Sequence, residues 1–250
     1  MGLVCAAAFA QAPQIGQVSR DSVWVPTPER MIRRLLQLAD TSKDDVVIDL
    51  GSGDGRIPIY AAKHFGALAI GVELERNLVE LSNKTAAAEG VANRVRFLQQ
   101  DLFEADLSGA TVIALYISPG VMERLRPRLL ALKPGTRVVS HHFTLGDWQP
   151  DEVIQVEGRT GYLWVVPAAV AGRWRVSIAG DEFRVRIAQH HQAITTSGER
   201  EGKPLHVIGA RLRGTEIRFT SFDRDGSTRH FEGRVEGPRM TGAGWSASRQ

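Results

Sequence analysis

The sequence predicts an α/β fold built on a mostly parallel sheet, followed by a smaller antiparallel β unit. Three observations predict it. Val46-Val47-Ile48-Asp49-Leu50 is a short, nearly unbroken apolar run that stops at Gly51-Ser52-Gly53-Asp54-Gly55, as a buried parallel strand does at a tight turn. Strand-like and helix-like segments then alternate to about residue 143. Beyond Val166-Pro167-Ala168-Ala169 the pattern changes to strict apolar/polar alternation broken by glycine turns.

Composition sets the bounds. The chain has 250 residues, 43% hydrophobic and 24% charged, ordinary values for a globular protein. A formal charge of +3 is too small to argue by itself for a nucleic-acid partner, and none is expected. The single Cys5 excludes an internal disulfide and a cysteine metal cluster, and no metal site is expected. No apolar run is long enough to span a bilayer. Residues 1–17 are read as a leader or a disordered N-terminus. Ala8-Phe9-Ala10 has the form of a signal-peptidase site, but no basic residue precedes the apolar stretch. The two expectations are therefore a cytoplasmic protein or, if residues 1–12 end a signal peptide, an exported one.

The elements follow in order. Thr27 as N-cap and Pro28 at the first helical position predict a helix start, with Met31, Ile32, Leu35, Leu36 and Ala39 on one face. The segment 25–28 is either a plain helix entry or a loop that folds over a ligand. Residues 56–65 and 76–89 read as crossover helices. Leu68 to Leu74 reads as a second strand ending in Glu73, whose carboxylate is placed to accept from ribose hydroxyls. Val95 to Asp101 is a third strand, Thr111 to Ile117 a fourth, and Pro119 to Leu132 a helix. Arg137 to Phe143 is the fifth strand, and 152–157 and 161–166 form a hairpin about Gly158.

The spacing at the turn is G-x-G-x-G, with Arg56 where a dinucleotide-binding motif would place its third glycine. The order acid, Leu, Gly, Ser, Gly, Asp, Gly resembles the nucleotide motif of S-adenosyl-L-methionine (SAM)-dependent methyltransferases. That resemblance implies a Rossmann-like seven-strand methyltransferase sheet over residues 18–168 and SAM as cofactor. It implies a site of Asp49, Gly51, Ser52, Gly53, Gly55, Glu73, Asp101 and Leu102, with Asp101 accepting from the adenine amino group and Leu102 near the ring edge.

A narrower likeness rests on V-P-T-P (25–28), D-L-G-S-G-D-G-R-I (49–57), G-V-E-L (71–74), L-Y-I-S-P-G-V-M-E-R-L-R-P-R-L-L (115–130) and L-K-P-G-T-R-V-V-S-H-H-F (132–143). Over about residues 23–166 the chain resembles bacterial relatives of the mitochondrial lysine methyltransferases that modify ATP synthase and the adenine nucleotide translocase. The resemblance implies methyl transfer to an acceptor nitrogen, a protein lysine before other classes. Tyr116-Ile117-Ser118-Pro119-Gly120 replaces the N/D-P-P-Y/F segment of methyltransferases acting on amide or base nitrogens, which lowers the expectation of such a target.

Tyr116, Ser118, His141 and His142 are the acceptor-site candidates at the ends of the fourth and fifth strands. Adjacent strand residues point to opposite faces, so His141 and His142 are not expected to share a metal. Trp148 either walls an acceptor channel or covers the core.

Residues 169–250 predict an antiparallel meander of about six strands, closed or nearly so, with Arg173, Arg175, Arg184, Arg186, Arg211, Arg213 and Arg218 opposite the core face. This segment carries fourteen basic and nine acidic side chains. Gly172-Arg173-Trp174 faintly echoes the G-x-W of lipocalin first strands. Two alternatives to a lysine methyltransferase stay open: a methyltransferase for a lipid or quinone-like molecule, and a non-catalytic protein that binds through its β unit.

Overall fold

A computed structural model describes Gly16, residues 25–223 and residues 226–250. The possible leader at residues 1–12 lies outside them. The α/β part runs α1 (Glu29–Leu38), β1 (Val46–Leu50), α2 (Arg56–Phe65), β2 (Leu68–Glu73), α3 (Arg76–Ala88), β3 (Val95–Gln99), β4 (Val112–Leu115), α4 (Pro119–Leu130), β5 (Arg137–His141), β6 (Glu152–Val156) and β7 (Arg159–Val165). These seven strands form one sheet in the order β3-β2-β1-β4-β5-β7-β6. β1 pairs parallel with β2 on one side and β4 on the other. The strand order therefore reverses at β1, and ligands of open α/β sheets bind beyond the carboxyl ends of the strands at such a point.

Burial explains the strand composition. Val47, Ile48 and Leu50 of β1 and all four residues of β4 are buried, as strands covered on both faces must be. The α1 face of Met31, Ile32, Leu35 and Leu36 is buried as its periodicity predicts. The helix start differs from expectation. Pro28, not Thr27, occupies the cap position, with no side-chain cap, and its carbonyl accepts from Ile32 N at 3.0 Å. Thr27 is instead buried against His141. The fifth strand stops at His141, because His142 takes φ 73 and leaves the extended backbone.

Two glycines in this unit are packing requirements. A Cβ on Gly71 would sit 2.5 Å from the Phe97 ring and 2.7 Å from Ser52 Oγ. Gly55, at φ +77, would put one 2.6 Å from the same ring. Phe97 on β3 thus closes against bare backbone from β2 and from the turn after β1.

The remaining strands are β8 (Gly172–Ile178), β9 (Asp181–His190), β10 (Ala193–Arg200), β11 (Lys203–Arg213), β12 (Glu216–Phe222), β13 (Thr228–Glu236), β14 (Arg239–Gly242) and β15 (Trp245–Arg249). They form a closed antiparallel barrel in sequence order, with β8 paired to both β9 and β15. The count is eight, not about six. The two left-handed corners that divide β9, β10 and β11, at His191 and at Glu201-Gly202, have weak turn signals. β10 itself is nearly all polar, so it carries little apolar alternation.

Closure works because aromatic rings fill the interior. Trp174, Phe183, Phe219, Phe231 and Trp245 are buried, with Phe219 and Phe231 stacked at 4.6 Å and Trp245 edge-on to both. Trp174, on the first strand, lies under Arg249 of the last, 4.9 Å from guanidinium carbon to ring centroid. The seven arginines named above are all exposed.

The chain divides into two compact units: the described residues up to Leu125 with Val139–Leu145 and Val153–Leu163, and Arg126–Val138 with Gly146–Glu152 and Trp164–Gln250. Trp148 belongs to the second unit and is fully buried beside Trp164, whose Nε1 donates to the Trp148 carbonyl at 2.7 Å. It covers the core of that unit. No helix among the described residues is long and apolar enough to cross a membrane.

Gly71→Ala is expected to destabilise the protein by about 1–3 kcal/mol through overpacking against Phe97. Gly109→Ala, where a Cβ meets nothing within 4 Å, should stay within about 0.5 kcal/mol. Urea midpoints of the two variants check this.

Candidate active site

The turn after β1 is fixed by backbone hydrogen bonds before any ligand is considered. Gly51 N and Ser52 N both donate to the Val72 carbonyl, at 2.9 and 3.0 Å. Gly53 N donates to Glu73 Oε2 at 2.8 Å. Glu73 Oε1 accepts from Leu74 N at 2.8 Å and from Glu75 N at 3.0 Å. One buried carboxylate thus joins the glycine turn to the start of the loop after β2. From α3, Ser82 Oγ donates to the Leu78 carbonyl at 2.8 Å and approaches the Gly53 carbonyl at 3.2 Å. Gly51, Gly53 and Gly55 all take positive φ, which a side chain would oppose.

Arg56 contributes what the missing third glycine does not. Its guanidinium grips Asp54 in a fork, with Nε at 2.9 Å from Oδ1 and Nη2 at 2.5 Å from Oδ2. Its Nη1 donates to the Thr27 carbonyl at 3.2 Å. The segment Val25–Thr27 is thereby tied to the glycine turn, and both line the same pocket. By spacing alone, Arg56 is only a departure from a motif. The signal that could have revealed its role is an arginine two residues after an aspartate at a helix start.

The pocket collects most of the predicted cofactor residues. Asp49, Gly51, Ser52, Gly53, Glu73, Asp101 and Leu102 line it, together with Tyr116 and Ile117. Gly55 is not among the lining residues and packs against the Phe97 ring. Asp101 lies two residues past the end of β3, and its Oδ1 accepts from Phe103 N at 2.9 Å. Ser118 stands outside the lining, its carbonyl accepting from Val121 N and Met122 N in the first turn of α4. His141 is also outside it, behind Tyr116, with ring centroids 4.1 Å apart. Its Nδ1 lies 3.3 Å from Thr27 Oγ1. His142 is exposed, its ring edge-on to Phe143.

The pocket floor is acidic. Burial pushes the Asp49 carboxyl well above the usual carboxylate range, and the charges of Glu73 and Asp54 push it the same way. A cation in the pocket would oppose that shift. His141 behaves oppositely: burial first, then the charges of His142 and Arg159, push its imidazole down to about 4. It is a neutral ring at physiological pH.

The residues suit SAM. Buried Ser52 Oγ has no hydrogen-bond partner, an acceptor-donor group left over at the pocket wall. The glycine cradle admits close approach of a ligand to backbone. The acidic floor matches a cationic sulfonium and ammonium.

A switch-point pocket of this kind, on a sheet of order 3-2-1-4-5-7-6, defines a SAM-dependent methyltransferase. Residues 49–152 match the ANTKMT methyltransferase domain model. The chain is 45% identical over 149 residues to a protein-lysine N-methyltransferase of Saccharolobus islandicus, covering 57% of this chain and 92% of that one. It is 33% identical over 132 residues to the adenine nucleotide translocase lysine N-methyltransferase of Mus musculus, covering 52% of this chain and 57% of that one. A solved structure titled an RNA methyltransferase from Salinibacter ruber, in complex with S-adenosyl-L-homocysteine, shares 50% identity with a TM-score of 0.57. It covers 58% of this chain and 96% of that one. This chain belongs to that family, the methyltransferases related to the ANTKMT domain, and is an enzyme that uses SAM.

The depressed His141 value sets a pH window. Its folded value lies below its unfolded one, so its contribution is complete above about pH 6.5 and is lost as pH falls toward 4. The expected loss is at most about 3 kcal/mol. His141→Phe should flatten unfolding free energy over pH 4–6.5 relative to the native chain.

Proposed function

We propose that the enzyme transfers the sulfonium methyl of SAM to the side-chain amine of a protein lysine. One observation carries the reading: the identity to the Saccharolobus lysine methyltransferase spans nearly that protein's whole length. SAM supplies an electrophilic methyl group. The chain then needs to hold an acceptor nitrogen in line and remove its proton, since a free lysine amine has a pKa of about 10.4. Desolvation in a closed pocket lowers that value.

In this reading Asp49, Gly51, Ser52, Gly53, Glu73, Asp101 and Leu102 hold the cofactor, with Gly55 shaping the turn behind them. Tyr116 and Ile117 wall the acceptor side, where an N/D-P-P-Y/F enzyme would present carbonyls to an amide or base. His141 is a positioning residue: a neutral ring packed at a tilt against Tyr116 and touching Thr27, it fixes the wall without facing the acceptor. Ser118 holds the start of α4 at the mouth of the fourth strand.

We take residues 18–168 as the catalytic domain and 169–250 as an accessory β domain. The cytoplasm, where SAM is made, is the compartment that suits the reaction.

A second reading, RNA as acceptor, has its own support. The Salinibacter neighbour is titled an RNA methyltransferase. The barrel also sets arginines directly opposite one another across strands, at Arg173↔Arg186, Arg175↔Arg184 and Arg211↔Arg218. Like charges so placed are destabilising by themselves, and phosphates would neutralise them.

The two readings separate in one experiment. Purified enzyme and methyl-tritiated SAM are incubated with host lysate treated with protease or with ribonuclease. Label lost to protease and recovered as methyl-lysine is the expected result; label lost to ribonuclease would replace lysine by RNA. Tyr116→Ala should slow the labelling by roughly tenfold or more.

A further inference from the structure

Two imidazoles and a carboxylate, none of them lining the cofactor pocket, converge at the corner between β9 and β10. Consecutive strand residues normally point to opposite faces. His190 and His191 nevertheless have ring centroids only 4.3 Å apart. His191 is the first residue of the two-residue turn from β9 to β10 and takes φ 52, the left-handed backbone that Ala179 and Glu201 also take at the start of their hairpin turns.

The third group comes from far away in sequence. Asp147 Oδ2 lies 3.4 Å from His190 Nε2 and 3.5 Å from His191 Nε2. All three candidate ligand atoms fall within 4.8 Å of one another. With metal–ligand bonds of about 2.0–2.2 Å, the edge of a tetrahedral zinc site is about 3.3–3.6 Å. The two His–Asp separations already have that length.

The surroundings favour a cation over a simple ion pair. Asp147 divides its oxygens: Oδ1 is 2.7 Å from Arg126 Nη1, which leaves Oδ2 for the imidazoles. A hydrogen-bonded outer partner of this kind orients a ligating carboxylate. His191 Nε2 is withdrawn from solvent and has no hydrogen bond of good geometry. Beside it, Gln192 Nε2 donates to the Gln149 carbonyl at 2.5 Å, joining the same two segments a second time.

We propose that Asp147, His190 and His191 bind one divalent transition cation, best matched by Zn²⁺, with a fourth position left for water. Nitrogen donors with a single carboxylate select zinc and its neighbours over magnesium or calcium. The cation pins the β9–β10 corner to residues 146–152 within the barrel unit. It takes no part in methyl transfer, and its binding stands whatever the acceptor proves to be.

The full-length protein, dialysed against chelator and then freed of it, is titrated with ZnCl₂ by calorimetry and with Co²⁺ by visible absorption. The expected result is one ion per chain at micromolar affinity or tighter, with Co²⁺ bands of a four- or five-coordinate site and a raised melting temperature. His190→Ala and Asp147→Asn should each weaken binding about tenfold or more, with SAM affinity unchanged. His191→Asn, in which asparagine accepts the left-handed backbone, should do the same without unfolding the corner. Absence of binding at millimolar zinc would overturn the proposal. So would equal affinity in the His190→Ala/Asp147→Asn double variant, which would put the ion on others of the seven histidines.

Discussion

The carboxylate of Glu73 is the contact on which the catalytic unit depends. It ends β2, yet its two oxygens accept from three backbone N–H groups on two different loops: Gly53, Leu74 and Glu75. Hydrogen bonds to a charged group are worth about 1.5–3 kcal/mol each, and a buried carboxylate without them would be costly. The same acid that nucleotide folds present to a ribose therefore first shapes the glycine turn after β1. In the proposed reading, architecture and binding use one group.

Charge arrangement follows from that constraint. Asp49, Asp54 and Glu73 crowd one pocket, and the strain of doing so falls on Asp49, the most deeply buried. Arg56 offsets Asp54 and ties the Val25–Thr27 segment to the turn by its second arm. Thr27 and Tyr116 line the same pocket, with the neutral His141 ring packed against both. An acidic floor beside an uncharged wall suits a cationic donor facing an amine that must be uncharged to react. The barrel is held by a different force, a core of stacked and edge-on aromatics.

Much of this is legible in the residues. β1, its glycine turn, the acid at Glu73 and both crossover helices announce themselves because a buried strand needs β-branched residues and a tight turn needs glycine. What stays hidden depends on contacts distant in sequence. Nothing local reveals that Thr27 is buried against a histidine 114 positions away, or that Gly55 packs against the Phe97 ring. The barrel's strand count falls short because β10 is polar and two corners turn at His191 and Glu201, residues that rarely mark turns. The convergence of His190, His191 and Asp147 is invisible for the same reason: a left-handed histidine cannot be read from its neighbours.

The measurement that tests the central claim most directly is calorimetric titration of the purified chain with SAM, beside a Glu73→Ala variant whose folding is checked by circular dichroism. The account predicts micromolar binding by the native chain and a loss of about a hundredfold or more in the variant, as removal of charged hydrogen bonds from both loop and ligand requires. Equal affinity in a well-folded variant, or no binding by the native chain, would contradict it.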